Sequence, residues 1–297
     1  MDKQLRILIS GAAGFIGAHV ASLALAAGHE VVLVDRLQVN GFRQCVSITV
    51  DLLDSNAIIS ALSLHLPVNV VIHLAALAHN QAPLSGHDTF SVNVGMTQSL
   101  LRAVEPCNPH FLFASSVAVY GEAGRRAIIS ASDEPQPATE YGRSKLECER
   151  ILGKSALSDI EVLRFAPIYS SERLADVSKR VLFPGLSNAR MWFFPEPRYS
   201  LCHIDRAGQR IMDLIAEGRQ GRRLRNVCDQ NPYGQHQIAS WFEGPRFPVL
   251  TWLGLPFAAA TRMLPGGLGY RIRCDLHKLL YTHLYDSKSV TVLGSKS

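Results

Sequence analysis

A glycine-rich turn between the first apolar strand and the first helical segment constrains the fold of this chain more than any other feature. The turn, Gly11-Ala-Ala-Gly14-Phe-Ile-Gly17, follows the apolar run Arg6 to Ser10 and opens a helical pattern that reaches Ala27. Glycines let the backbone approach a pyrophosphate, and the start of a helix offers free N–H groups and a positive dipole end. The sequence therefore predicts a dinucleotide-binding turn, with contacts from Gly11, Gly14, Phe15, Ile16 and Gly17.

Strand and helix patterns alternate through the first two-thirds of the chain. Apolar strand patterns at 31–34, 47–50, 70–74, 110–114 and 161–165 are separated by helical patterns at 55–66, 88–105 and 139–152. Such alternation is typical of a parallel sheet with helices on both faces. We expect an α/β, doubly wound Rossmann domain over residues 1–165, to which 199–230 return with a helix and a short strand. Residues 166–297 are expected to form mainly a small C-terminal substrate-binding region.

A carboxylate follows the second predicted strand. Asp35 comes eighteen positions after Gly17, where a carboxylate can bind the adenosine ribose hydroxyls and repel a 2′-phosphate. Asp35 therefore favours NAD over NADP. Arg36, the next residue, could pair with that phosphate and so argues for NADP.

Composition excludes several classes of function. The 30 basic and 25 acidic residues give a net charge of +5, too small an excess to indicate nucleic acid binding. The six cysteines have neither C-x-x-C nor zinc spacing, and we expect reduced thiols in a cytoplasmic protein without a metal site. The apolar stretch Val249 to Thr261 is too short to span a bilayer and contains Pro256, so no membrane span is expected. It fits the core, a subunit interface or contact with a membrane surface.

Further motifs follow the glycine turn in a fixed order. They are Asp51-Leu52, His73-Leu-Ala-Ala76, Asn93-Val-Gly-Met-Thr97, Ser115-Ser116-Val-Ala-Val-Tyr120-Gly, Tyr141-Gly-Arg-Ser-Lys145 and the segment from Arg198 to Ala207. Together with the G-x-x-G-x-x-G spacing, they resemble the extended short-chain dehydrogenase/reductases, the NAD-dependent epimerase/dehydratase family. The resemblance extends over about residues 5 to 230 and includes nucleotide-sugar 4-epimerases and 4-ketoreductases.

The resemblance implies roles for individual residues. It implies bound NAD, a nucleotide-sugar substrate that is UDP-linked, and a homodimer. Arg198 lies where the family often contacts the substrate diphosphate, and a solvated loop arginine is the alternative. His73 would be held by its surroundings beneath the cofactor. The implied cofactor contacts outside the glycine turn are Asp35, Arg36, Asp51, Leu52, Leu74, Ala75, Ala76, Asn93, Tyr141 and Lys145.

Ser116, Tyr141 and Lys145 form the predicted catalytic unit. Tyr141 and Lys145 are four residues apart on a predicted helix and so share one face, as any exposed Tyr/Lys pair could. A lysine ammonium nearby stabilises a phenolate, so we expect Lys145 to lower the pKa of Tyr141. Ser116 and Tyr141 would bind the sugar oxygen while hydride moves to or from the nicotinamide.

Two departures from the family pattern limit the range of reactions that we expect. The Asp-Glu pair of dehydratases is replaced in Val117-Ala118-Val119, and the asparagine of many hexose epimerases is replaced by Ala166 or Pro167. We expect an epimerase acting at C4 of a UDP-hexose through transient hydride transfer to bound NAD. A 4-ketoreductase that uses NAD(P)H and a non-catalytic dinucleotide sensor remain as alternatives. The arginines at 219, 222, 223 and 225 are expected in a solvated turn, with an acid-binding patch as the alternative.

Overall fold

The computed structural model describes residues 4–77, 88–121, 128–182, 189–250 and 276–294. The strands are β1 Arg6–Ser10, β2 Glu30–Asp35, β3 Val46–Thr49, β4 Val70–His73, β5 His110–Ser116, β6 Ile160–Phe165, β7 Ile168–Tyr169, β8 Arg190–Phe194, β9 Arg198–Tyr199, β10 Cys202–His203, β11 Arg222–Val227, β12 Tyr233–Gly234, β13 Arg246–Leu250 and β14 Val290–Val292. The helices are α1 Phe15–Ala26, α2 Ser55–Ser63, α3 Thr89–Val104, α4 Glu140–Lys154, α5 Ala175–Ser178, α6 Ile204–Glu217 and α7 Gln235–Ala239.

A mostly parallel eight-stranded sheet forms the centre of the molecule. Its order is β14-β11-β6-β5-β4-β1-β2-β3, and every pairing is parallel except that of β14 with β11. Alternate residues of β1 point to opposite faces: Ile7 and Ile9 join the core under α1 and α6, whereas Leu8 joins the core under α2, α3 and α4. The predicted doubly wound parallel sheet is confirmed.

Helix starts are fixed by side chains that satisfy free backbone N–H groups. Asp54, Asp88 and Thr139 accept hydrogen bonds from the first turns of α2, α3 and α4, respectively. Such caps contribute about 1 kcal/mol each. Because the Thr139 side chain caps the start of α4, the first turn of this helix carries Tyr141 beside the end of β5.

Three differences from the sequence prediction concern element bounds. Strand β5 continues to Ser116, so both serines of the Ser115-Ser116 motif belong to the sheet. Strand β11 begins at Arg222, within the predicted solvated turn. The sequence patterns did not predict β14, which pairs along β11 and completes one edge of the sheet. Residues 166–297 thus supply two strands to the central sheet as well as the smaller region.

The smaller region lies beyond β6. Short pairs β7–β10, β9–β12 and β8–β13 surround an apolar cluster that includes Tyr169, Val177, Tyr199 and Ile238. Of the apolar stretch Val249 to Thr261, residues 251–261 lie outside the described residues. Within the parts that are described, no helix is long and apolar enough to cross a bilayer.

Candidate active site

The glycine turn passes so close to neighbouring backbone that side chains cannot be accommodated. Gly11 has a φ of +75°, and a Cβ there would lie 2.6 Å from the backbone nitrogen of Ala75. A Cβ on Gly17 would collide with the carbonyl oxygen of Gly11. The turn therefore leaves a bare backbone cradle at the start of α1, as a bound pyrophosphate requires.

The first turn of α1 has backbone N–H groups that no side chain of the described residues caps. Gly14 is the N-cap residue of α1, and in the described part of the chain the first turn of this helix carries no acidic residue. The first N–H groups of a helix have no partner within the helix. Ala13 N–H, just before the helix, is instead taken by a carboxylate oxygen of Asp35 at 3.0 Å. The amides that follow can therefore bind an anion.

A cleft of about 220 Å³ opens beside this turn. It lies at the carboxyl ends of β1 to β4, next to the point where the strand order reverses between β1 and β4, the usual ligand position in such sheets. Nine of the predicted cofactor contacts line it: Gly11, Gly14, Asp35, Arg36, Asp51, Leu52, Leu74, Ala75 and Ala76.

Asp35 is held at the rim of this cleft. Its two carboxylate oxygens accept hydrogen bonds from Ala13 N–H at 3.0 Å and Leu37 N–H at 2.9 Å. Arg36 lines the same cleft with an exposed side chain. The carboxylate is thus the fixed charge at this end of the cleft.

Asn93 occupies a different environment from the cleft residues. It is 2% exposed, and its side-chain amide binds the backbone of Leu77 through both its oxygen and its nitrogen and also donates to Ser144 Oγ. These contacts tie the segment after β4 to α4. Any contribution of Asn93 to cofactor binding would therefore act through the position of Leu77. Three further predicted contacts, Phe15, Ile16 and Gly17, lie in the first turn of α1, and the last two, Tyr141 and Lys145, lie on α4.

His73 is buried beneath the cleft. Ser10 Oγ lies 2.6 Å from its Nδ1, and Thr97 Oγ1 lies 3.0 Å from its Nε2. Burial, with a smaller contribution from the Lys145 charge, lowers its pKa to about 3. His73 is therefore a neutral residue that joins β1, β4 and α3.

The structure brings the predicted catalytic residues Ser116 and Tyr141 together. Their side chains are hydrogen-bonded to each other across the end of β5 and the first turn of α4. Gly142 makes this approach possible, because a Cβ there would lie 2.5 Å from the carbonyl oxygen of Ala118. A hydroxyl pair at the open end of a sheet can bind one oxygen of a substrate and exchange a proton with it.

Lys145 lies one turn further along α4, but its main partner is not Tyr141. Its Nζ donates to the carbonyl oxygen of Ala114 at 2.7 Å and lies 5.8 Å from the centre of the Tyr141 ring. Burial lowers the pKa of Lys145 to about 8.

The expected lowering of the tyrosine pKa is wrong for this structure. Burial first, and then the negative charge of Asp176, raise the pKa of Tyr141 to about 12. The hydrogen bond from Ser116 opposes this rise without reversing it. The pKa rises because burial removes water that would stabilise the phenolate, while the Lys145 ammonium is hydrogen-bonded to the end of β5 rather than to Tyr141.

The sequence patterns did not predict a buried ionic network, which lies one turn of α4 beyond the candidate catalytic residue Lys145. Arg164 on β6 binds Glu149 on α4 through two hydrogen bonds of 3.0 and 2.6 Å, and Ser115 Oγ donates to the same carboxylate. Arg164 also donates to Tyr120, whose hydroxyl donates to Asn226. Glu149 is four residues after Lys145, so helical spacing could have placed it on the same face.

The remaining predicted arginines lie away from this group. Arg198 is exposed, and its guanidinium donates to the carbonyl oxygen of Pro232, which lines a separate concavity of about 440 Å³. Among the arginines at 219, 222, 223 and 225, the expectation of a solvated turn is wrong for two. Arg225 is buried in β11 and donates two hydrogen bonds to Glu161. Arg222 donates to the carbonyl oxygens of Leu152 and Ser155. Arg219 donates to the carbonyl oxygen of Asn108.

Comparison with known proteins decides the family. Residues 7–191, more than half of the chain, match the model of the NAD dependent epimerase/dehydratase family. The chain belongs to this family. The predicted resemblance is thereby confirmed, and the cradle, cleft and hydroxyl pair described above belong to a fold that its members use for enzyme chemistry.

Curated relatives of the chain are nucleotide-sugar epimerases. It is 29% identical over 166 residues to a UDP-glucose 4-epimerase of Yersinia pestis, covering 52% of this chain and 49% of that protein. It is 32% identical over 165 residues to UDP-glucose 4-epimerase uge1 of Schizosaccharomyces pombe, covering 49% and 45%. The chain spans about half the length of these relatives.

Solved structures with the same fold are similar over most of the chain. WbmG of Bordetella bronchiseptica, in complex with NAD and UDP, superposes with a TM-score of 0.68 at 18% identity, covering 96% of this chain and 86% of that one. UDP-glucose 4-epimerase of Thermotoga maritima, with UDP-glucose, gives 0.64 at 21% identity, covering 82% and 86%. At these identities the likeness shows the fold.

The segment that follows β5 is the one in which the sequence departs from the dehydratase pattern. After β5 the backbone forms a short 3₁₀ turn, Val117–Tyr120, in which Val117 and Val119 are buried. The four residues of this turn include no carboxylic acid.

Proposed function

We propose that this chain is an NAD-dependent nucleotide-sugar epimerase that inverts C4 of a UDP-hexose. The observation that carries the proposal is the hydrogen-bonded Ser116–Tyr141 pair, with Lys145 one helical turn away, at the open end of β5. The UDP-glucose 4-epimerases among its relatives support the choice of substrate.

The cofactor is proposed to lie across the ends of β1 to β4. The bare amides of Phe15, Ile16 and Gly17 would bind its diphosphate, and Asp35 its adenosine ribose. Asp51, Leu52 and the segment Leu74 to Ala76 would surround the adenine half. When bound, NAD would supply a hydride acceptor from which the same hydride can return to C4.

Tyr141 and Ser116 are proposed to handle the proton. Tyr141 would begin the cycle as a phenolate, stabilised by the positive charges of Lys145 and the oxidised cofactor. As the C4–H bond breaks, the O4–H proton passes to this phenolate, and the hexose becomes a 4-keto sugar. Ser116 holds the same oxygen by a hydrogen bond. After the sugar turns to present its other face, Tyr141 returns the proton to O4, so protons and hydride both balance. Lys145, which lies beside the phenol ring, contributes positive charge while Tyr141 lacks its proton.

Arg198 is proposed as a contact for the substrate diphosphate. Its guanidinium is exposed beside the concavity that Pro232 lines, and a guanidinium matches a phosphate with two parallel hydrogen bonds. Anchoring through the nucleotide would leave the hexose free to turn. We also propose a homodimer, as the family resemblance implies.

A 4-ketoreductase is the second candidate, supported by the pKa of Tyr141. A tyrosine with a pKa of about 12 is protonated near neutral pH and is therefore ready to act as an acid. A reductase needs Tyr141 only as a proton donor, whereas an epimerase also needs it as a proton acceptor. Ala166 and Pro167, at the position of the asparagine found in many hexose epimerases, add to this candidate.

Turnover without added cofactor distinguishes the two. We expect UDP-glucose or UDP-N-acetylglucosamine to convert into its C4 epimer, with no net change in reduced-nicotinamide absorbance. The measurement is chromatography of the sugar nucleotides together with the absorbance trace. If product forms only from a 4-keto sugar nucleotide with stoichiometric NAD(P)H, the reductase replaces the epimerase.

A further inference from the structure

A tight turn after β7 places an arginine against the start of α1. The backbone N–H of Arg173 donates to Ser170 at 3.2 Å, and the N–H of Ser170 donates to Arg173 at 3.4 Å, which closes the turn. The Arg173 guanidinium carbon lies 4.9 Å from the centre of the Phe15 ring. Phe15 is the first residue of α1, so the cation is held beside the bare amides of the glycine turn.

The charge of Arg173 is not balanced by a carboxylate. Across the described ranges of the chain, the ion pairs do not include Arg173, and the nearby Asp176 is paired with Lys179. The first turn of α1 carries no acidic residue either. A guanidinium and the positive end of a helix dipole repel each other weakly, and an anion between them would turn this repulsion into attraction.

We propose that Arg173 is a further cofactor-binding residue, whose guanidinium closes over the dinucleotide diphosphate from the side opposite the α1 amides. The inference rests on the dinucleotide site of the proposed function. A guanidinium can donate two parallel hydrogen bonds to a phosphate while its flat face stays on an aromatic ring. The turn after β7 thereby links the substrate-binding region to the cofactor.

The rest of the cleft indicates which part of the cofactor Arg173 would bind. The adenosine end contains Asp35, whose carboxylate is held by Ala13 and Leu37. Phe15, under Arg173, belongs to the helix start that follows Gly14. We therefore expect Arg173 to bind the phosphates, whereas Asp35 and the apolar residues of the cleft bind the adenosine.

Isothermal titration of the full chain with NAD, ADP and adenosine, after co-purifying nucleotide has been removed, tests the inference. Arg173→Gln is expected to bind NAD and ADP about tenfold more weakly, the usual effect of losing one charge-assisted hydrogen-bonding group, and to bind adenosine like the wild type. Lys179→Gln removes the same charge from the same segment and is expected to bind all three ligands like the wild type.

The outcomes separate this inference from the proposed function. If the wild type binds NAD and Arg173→Gln binds NAD and ADP equally well, Arg173 is a solvated arginine resting on Phe15, and the inference is wrong. Equal weakening of adenosine would show a structural effect and would also overturn it. If the wild type binds no NAD, both the inference and the proposed function fail.

Discussion

At the residue scale, burial shifts the pKa values of Tyr141 and Lys145 in opposite directions and separates them. Burial raises the pKa of Tyr141 to about 12 and lowers that of Lys145 to about 8. Tyr141 therefore keeps its proton near neutral pH and can act as an acid unaided. To act as a base it needs added positive charge, which the oxidised nicotinamide supplies in the proposed complex.

Removing the Tyr141 hydroxyl is the sharpest change at this scale. Tyr141→Phe is expected to retain NAD but to turn over about a hundred- to ten-thousand-fold more slowly, because general acid–base groups contribute on that order. Steady-state kinetics and the nucleotide content of the purified variant check both parts. Turnover near that of the wild type would remove Tyr141 from the mechanism.

The sequence predicts which side chains lie close together but not which atoms form hydrogen bonds with each other. Ser116, Tyr141 and Lys145 could be chosen from helix spacing and motif order. The bond from Lys145 to the Ala114 carbonyl oxygen could not, because it depends on how closely α4 packs on β5. The tyrosine pKa was mispredicted for the same reason, since a sequence does not give the extent of desolvation.

At the element scale, α4 buries a lysine against the end of β5. Lys145 is 2% exposed and has a pKa of about 8, below the ordinary 10.5. The unfolded chain therefore binds more protons than the folded chain between these two values. The Lys145 contribution to stability must rise as the pH increases across that window.

Lys145→Met tests this burial. Relative to Lys145→Met, the unfolding free energy of the wild type is expected to rise above about pH 8. The rise is at most about 1.4 kcal/mol for each pH unit. Urea unfolding of both proteins on either side of that pH gives the difference. A difference that is constant with pH would show that Lys145 titrates normally.

Sequence patterns predicted most strands of the central sheet and the helices that pack on it. They failed where the burial of a residue depends on an ion pair. Apolar runs and caps identify β1, β4, α2 and α3 to within a few residues. Arg225 was misplaced because an arginine in a strand is buried only when a partner such as Glu161 neutralises it. Strand β14 was missed because its residues pair along β11 with little burial of their own.

At the scale of the whole molecule, the sheet order explains where the chemistry lies. The reversal of strand order between β1 and β4 opens a cleft at the carboxyl ends of the strands, and the candidate catalytic pair lies at the end of β5, next to β4. The sequence predicted this arrangement because alternating strands and helices permit few topologies. The short strands after β6, which shape the substrate region, carry too few residues for a periodic pattern.

The most direct test of the proposed function follows a deuterium label from C4 of UDP-glucose without added cofactor. An epimerase that returns the same hydride to the same carbon is expected to give UDP-galactose with the deuterium still at C4, as read by mass and NMR spectra. Galactose product that has lost the label to solvent, or no product until NAD(P)H is supplied stoichiometrically, would contradict the account.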